Sequence, residues 1–264
     1  MPSELFIPLG EDVFQPTELT RGPWVPDAQH GGPPSALLAR AVEATDPAMF
    51  VARITVEFIR PVPLDRLTVT SRVTRPGRRV QLVEATLSTG GESIARAMAL
   101  RIRIHAGIDL PSEATGPVDR LPPPHTIEPV RIVPVEWQNF GDALDTRPLI
   151  GGLTEPGPSV AWIRLKVPLV RGEDPTALQR TLVAADCGNG ISSAVDIHRY
   201  LFINPDLTVY QHRPAAGEWI GLDALTRLEG HGSGLAEAAL FDEQGRFGRS
   251  LQSLYVDLRT RFGA

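Results

Sequence analysis

The sequence predicts an α+β fold built from two tandem units, each a helix followed by an antiparallel sheet. Three observations predict it. The chain repeats itself at an offset of 153 residues. From Thr55 to Ala99, without a gap, ten of 45 positions match those from Thr208 to Gln252, among them Thr55-Val56, Arg60-Pro61, Glu84-Ala85, Leu87 and Arg96. A fixed internal period of this kind marks a duplicated structural unit. Gly (24) and Pro (25) together make up close to a fifth of the 264 residues, where about 12% is usual. That places many turns between short strands. Finally, in both copies a Gly-rich lead into a helix precedes alternating, strand-like segments.

In the first unit His30-Gly31-Gly32-Pro33-Pro34 leads into Ser35–Glu43, where Leu37, Leu38, Ala41 and Val42 fall on one helical face. Proline is tolerated in a first turn because its missing N–H has no partner there. Strands follow. Ile54, Val56 and Phe58 alternate with Arg53, Thr55 and Glu57, and Arg60-Pro61-Val62-Pro63 stops the ladder. Leu67–Thr70 is the next strand, and Val80–Ser88 with Ile94–Ile104 make a hairpin around Thr89-Gly90-Gly91-Glu92.

In the second unit Asp186-Cys187-Gly188-Asn189-Gly190 is expected to open a helix over Ile191–Val195. Strands are then expected over Thr208–His212, Trp219–Leu225, Gly234–Phe241 and Phe247–Leu258, with a turn at Asp242-Glu243-Gln244-Gly245. The Pro-, Ser-, Thr- and Gly-rich stretch 109–134 is the linker. The units are therefore 1–108 and 135–264. Trp137, Phe140 and Trp162, just beyond the linker, are expected in the core.

Composition narrows the function. With 26 Lys and Arg against 31 Asp and Glu, the formal charge is −5, and no basic stripe speaks for nucleic acid. No apolar run reaches the roughly 20 residues of a membrane span, and the first residues carry no signal-peptide pattern. Cys187 is the single cysteine, so an intramolecular disulfide is impossible and a cysteine-built zinc site is disfavoured. These readings favour a cytoplasmic enzyme or binding protein.

Taken in order and spacing, several motifs resemble type II acyl-CoA thioesterases. They are Gln29-His30-Gly31-Gly32 before a helix and the run from Arg53 to Pro63. In the second half they are Ala185-Asp186, the run from Asn204 to Pro214, and Ser250-Leu251-Gln252. The resemblance covers most of the chain. It implies a double hotdog fold, in which two helix-plus-sheet units share one continuous curved sheet. It also implies hydrolysis of a fatty or related acyl-CoA to free acid and CoA, with no metal and no cofactor.

In that family an Asp, a Thr and a Gln hold the hydrolytic water. The Asp and Gln carry over to Asp186 and Gln252, and the Thr position is Asn204 here. Asn also donates and accepts hydrogen bonds, with a different reach. Water attack on a thioester needs a positioned acceptor, and the oxyanion needs donors. Asp186 supplies the acceptor. Backbone N–H groups at a helix start around Gly188, Asn189 and Gly190 are expected to serve the oxyanion, with His30, Gly31 and Gly32 as further substrate-binding residues. At offset 153, Gln252 aligns with Ala99 and Asn204 with Val51. The polar trio therefore exists once per chain, in the second unit, with the first as structural partner.

Plainer readings stand beside these. Asp186 could be only a helix cap, Asn204 a turn former before Pro205, Gln252 an exposed strand residue, His30 a loop brace, and Arg213 a strand-face residue or a phosphate contact. Cys187 as a nucleophile is disfavoured against a small core residue. Two other functions compete: a non-catalytic acyl-CoA or acyl-carrier binding protein, and an enoyl-thioester hydratase that would pair His30 with Asp27. Open sheet edges favour a homodimer or higher homo-oligomer.

Overall fold

The computed structural model describes residues 2–261 apart from 11, 47, 106, 112–113, 115–118, 132–135 and 153–154. The first half contributes β1 (Phe6–Pro8), β2 (Val13–Pro16), α1 (Gly32–Ala44), β3 (Met49–Phe58), β4 (Leu67–Arg75), β5 (Val80–Thr89) and β6 (Glu92–Arg103). The second contributes β7 (Leu144–Gly152), β8 (Glu155–Leu165), α2 (Ala177–Ala185) and α3 (Gly188–Ile191). It continues with β9 (Tyr200–Ile203), β10 (Asp206–Gln211), β11 (Trp219–Leu228), β12 (Ser233–Asp242) and β13 (Gly245–Leu258). The strands form one sheet in the order β1-β2-β4-β5-β6-β3-β10-β13-β12-β11-β8-β7, with β9 added beside the end of β13.

The 153-residue offset is visible in this order. It carries β4, β5, β6 and β3 onto β11, β12, β13 and β10, and the second set runs in the reverse sense across the sheet. The two sets meet where β3 pairs with β10, and Thr55 lies opposite Thr208. Their hydroxyls are 3.1 Å apart. A residue opposite its own counterpart marks the pseudo-twofold axis.

Two turns explain themselves locally. Gly90 and Gly91, at φ 56° and 87°, close the β5–β6 hairpin, as a two-residue turn with left-handed centres requires. Asp242 pairs with Gly245 across the corresponding β12–β13 turn.

Helix α1 starts at Gly31-Gly32 and buries Ala36, Leu37, Leu38, Ala39 and Val42. Each leucine so buried is worth about 1.5–3 kcal/mol. Helix α2 is opened by a capping box between Thr176 and Gln179, and it packs against α1. The helix of the second half therefore precedes Asp186, whereas the sequence placed it afterwards. Asp186 is the C-cap of α2 and not the lead into a helix. Only the four-residue α3 follows, and residues beyond Ile191 are not helical. The signal for α2, an apolar face at Leu178, Leu182 and Ala185 behind a Thr-x-x-Gln cap, was present in the sequence.

Part of the linker expected over 109–134 lies outside the described residues. Within the described part, residues between 119 and 130 pack against the second half. There Trp162, Trp219 and Phe241 form a separate apolar cluster with Leu121 and Ile127. Trp162 donates to the Pro122 carbonyl at 2.7 Å, and Arg147 donates to the carbonyls of Pro124 and Ile127. Phe140 and Trp162 are buried as expected, whereas Trp137 is only partly buried. Among the described residues, no helix is long and apolar enough to cross a membrane.

Candidate active site

The end of α2 decides where the site lies. Cys187 N–H bonds back to Ala184, tightening the last turn, and two glycines then interrupt the ladder. The Gln252 carboxamide from β13 fills the break. Its Oε1 accepts from Asn189 N–H at 3.0 Å, and its Nε2 donates to the Asp186 carbonyl at 3.3 Å. Gly188 leaves room for it, since a Cβ there would lie 3.1 Å from Oε1. Gln252 is 1% exposed, so it is not an exposed strand residue.

Asp186, also 1% exposed, is the hub. Its Oδ1 accepts from Asn204 Nδ2 at 2.8 Å and from Gln252 Nε2 at 3.3 Å. Its Oδ2 lies 2.8 Å from His30 Nδ1. Asn204 also donates to the Asp206 carbonyl at 3.1 Å. With both N–H bonds directed, its own Oδ1 is left to accept. The three residues proposed from sequence therefore converge on one carboxylate, and His30 joins them from the other half of the chain.

His30 is tied down by its surroundings. Its backbone N–H bonds to Thr20, and its ring lies 4.7 Å from that of Phe140. Nδ1 is also 3.2 Å from the Gly32 N–H. One nitrogen cannot accept from an amide and donate to a carboxylate with a single proton. The shorter, charge-assisted contact takes precedence and puts the proton on Nδ1. The role of Phe140 was not legible in the sequence, because 110 residues separate it from the histidine.

Gly31 has a steric reason. A Cβ there would come within 2.8 Å of Asp186 Oδ2 and of the Phe58 ring. Gly32 is packed against the Val183 carbonyl and the Phe140 ring. The thirteen-residue α1 thus aims its N-terminus at the Asp186 carboxylate, a favourable dipole arrangement worth about 0.3–1 kcal/mol. The four-residue α3 begins at Gly188, as the expected helix start does.

The expected oxyanion donors divide in the same way. Asn189 N–H is committed to Gln252, and Gly188 is buried against the same side chain. Gly190 lines the cavity. Gly32 and Gly188 support the site from behind.

The cavity has a volume of about 340 Å³ and draws its walls from both halves, with His30, Gly31 and Phe58 from the first and Asp186, Gly190 and Asn204 from the second. The first half is therefore more than a structural partner, because the carboxylate is completed by its histidine. The counterparts of Asn204 and Gln252, Val51 and Ala99, are buried apolar residues. At the C-terminal end of α1 the fully buried Arg101 donates to Val42 and Asp46 carbonyls.

Cys187 is buried, and its thiol contacts the Val183 carbonyl at 3.7 Å. Burial pushes the thiol well above its ordinary pKa, and the neighbouring Asp186 charge adds to that. A thiolate nucleophile is disfavoured there. Arg213 is engaged by Asp242.

Comparisons with known proteins agree with this architecture. The family model for the acyl-CoA thioesterase N-terminal domain matches residues 20–102, and that for the C-terminal domain matches 117–256. No curated protein matches the sequence. Among solved structures, a candidate thioesterase II from Thermobifida fusca is 17% identical. It covers 97% of this chain and 96% of its own, with a TM-score of 0.73. A hot dog protein of unknown function from Alicyclobacillus acidocaldarius is 16% identical, with 93% of each chain covered and a TM-score of 0.72. An acyl-CoA thioesterase II from Mycobacterium marinum is 16% identical, with 96% of each covered and a TM-score of 0.65. At these identities the likeness is one of fold, and the fold is the α+β hot dog.

Proposed function

Given that the chain belongs to the acyl-CoA thioesterase family, we propose that it hydrolyses an acyl-CoA to the free acid and CoA by direct attack of water held at Asp186. We read residues 1–108 and 135–264 as a pair of hot dog units that share one such site. The observation that carries the reading is the buried Asp186 carboxylate, held by Asn204, Gln252 and His30 at the wall of a largely apolar cavity.

The chemistry follows from that geometry. Asp186 is an acceptor whose orientation is set by three donors from three separate segments, so little reorganisation is needed when a water proton moves toward it. The Asn204 Oδ1 accepts a second hydrogen of the same water. Water oxygen bonds to the thioester carbon, the carbonyl becomes an oxyanion facing the Gly190 backbone, and the C–S bond breaks. The proton taken by Asp186 then passes to the leaving sulfur. One water is consumed and one thiol released.

Thiol release from a panel of acyl-CoAs, with Asp186→Ala alongside, tests this. Turnover abolished in the variant supports it. Saturable binding without turnover would replace hydrolysis by a carrier role, and loss of enoyl absorbance without thiol release would point to a hydratase.

A further inference from the structure

The cavity also takes apolar side chains from two loops and one short strand, among them Trp24, Val25, Ile197 and Phe202. Trp24 belongs to the first half and Phe202 to the second. Their rings meet edge to face at 5.0 Å and 85°, a favoured aromatic geometry. Neither residues 23–28 nor residues 192–199 lie in a named strand or helix; the sheet reaches the second loop at Ser192, through the Thr226 hydroxyl, and at Ser193, whose carbonyl accepts from the Gly157 N–H.

A single side chain spans them. Arg259 Nη1 donates to the Ile197 carbonyl at 2.8 Å, and Nη2 donates to the Pro23 carbonyl at 3.3 Å. Its guanidinium carbon lies 5.5 Å from the centre of the Trp24 ring. Its own backbone is fixed, because Leu258 pairs with Tyr200 and the Arg259 N–H bonds to Arg199. The planar, multiply donating guanidinium suits two carbonyls and an aromatic face at once, which an ammonium cannot match.

Resting on the thioesterase reading above, we infer that Trp24, edge to face with Phe202, closes the acyl end of the cavity, and that Arg259 is the positioning residue that holds this wall, so that medium-length acyl groups are preferred to long ones. A wall closed by two aromatic rings limits the chain that the cavity admits. On this reading an octanoyl chain is accommodated, and a palmitoyl chain requires the wall to open.

The test measures kcat and KM for octanoyl-CoA and palmitoyl-CoA in the parent protein, Trp24→Ala, Arg259→Ala and Arg259→Lys. The non-hydrolysable thioethers octyl-CoA and hexadecyl-CoA are titrated calorimetrically in parallel. The parent is expected to favour octanoyl-CoA by about tenfold or more in kcat/KM, a discrimination within reach of a hydrophobic pocket. Trp24→Ala raises the palmitoyl-to-octanoyl ratio by about tenfold, chiefly through KM. Arg259→Ala moves it in the same direction, and Arg259→Lys restores part of the parental ratio. An unchanged ratio in Trp24→Ala overturns the wall. An equal loss of kcat on both substrates in Arg259→Ala overturns the positioning role. If the parent turns over neither substrate, the hydrolase reading fails. The two thioether affinities then decide the chain-length inference alone, equal affinities sinking it.

Discussion

His30 and Asp186, 156 residues apart and from opposite halves of the chain, lie 2.8 Å from one another between Nδ1 and Oδ2. Neither half contains the whole site. Removing Asp186 is expected to cost about 10²–10⁴-fold in kcat, the usual contribution of a positioned base. Removing the His30 ring in His30→Ala is expected to cost about tenfold, since Asn204 and Gln252 still hold the other carboxylate oxygen. The double variant should be no slower than Asp186→Ala, because both changes act on one group. Steady-state kinetics of the three variants check this. If His30→Ala is as slow as Asp186→Ala, the histidine itself takes the proton.

Asn204 occupies the position that the resemblance to type II acyl-CoA thioesterases assigns to a Thr. Its contact with Asp186 uses one N–H, and its second N–H serves the Asp206 carbonyl. Threonine can donate only once. Asn204→Thr is therefore expected to keep activity within about threefold, whereas Asn204→Leu, which offers no hydrogen bond, loses about tenfold or more. Comparing kcat for the two separates the polar function from the side-chain shape.

Gly31→Ala would push a methyl group against the Asp186 carboxylate and Phe58. The backbone there is helical, at φ −68°, so the penalty is contact and not strain. Overpacking of this kind costs about 1–3 kcal/mol. We expect a lowered melting temperature and a fall in kcat of about tenfold or more, because the residue displaced is the carboxylate itself. Full activity in Gly31→Ala would contradict the geometry of the helix start.

Two carboxylates outside the site give opposite dependences on pH. Burial alone would raise Asp242, but Arg213 and the N–H groups of Ala216 and Gln244 outweigh it and hold the carboxyl below its ordinary value. Its stabilisation is full above the unfolded value, about pH 4, and is lost as pH falls through the folded value. Asp242→Asn should lower stability near neutral pH by about 1.5–3 kcal/mol, the scale of hydrogen bonds to a charged group, and by less in acid.

Glu43 is raised by burial, partly offset by Thr176 and Gln179. Its stabilisation is full below the unfolded value, about pH 4.3, and is lost as pH rises through the folded value. Glu43→Gln should stabilise near neutral pH and lose that advantage in acid. Urea melts across pH check both signs.

What the sequence determined by itself had a local or periodic cause. Alternation of apolar residues located β3 and the β5–β6 and β12–β13 hairpins, and the turn glycines located their corners. The 153-residue offset anticipated that both halves would share one strand order, because duplicated patterns bury duplicated faces. It also showed that Val51 and Ala99 have polar counterparts in Asn204 and Gln252, which is why the trio was legible before any geometry. The tertiary structure decided the rest. The capping box and apolar face of α2 were legible before Asp186, but the small residues after it resembled a helix lead as well, and the structure placed the long helix before Asp186 and only the four-residue α3 after it. The partnership of His30 with Asp186, the bracing of His30 by Phe140 and the link from Arg259 to Trp24 all join residues separated by more than 100 positions. Contacts of that separation leave no period in a single chain. They exist only because β3 and β10 pair edge to edge and bring the two halves around one cavity.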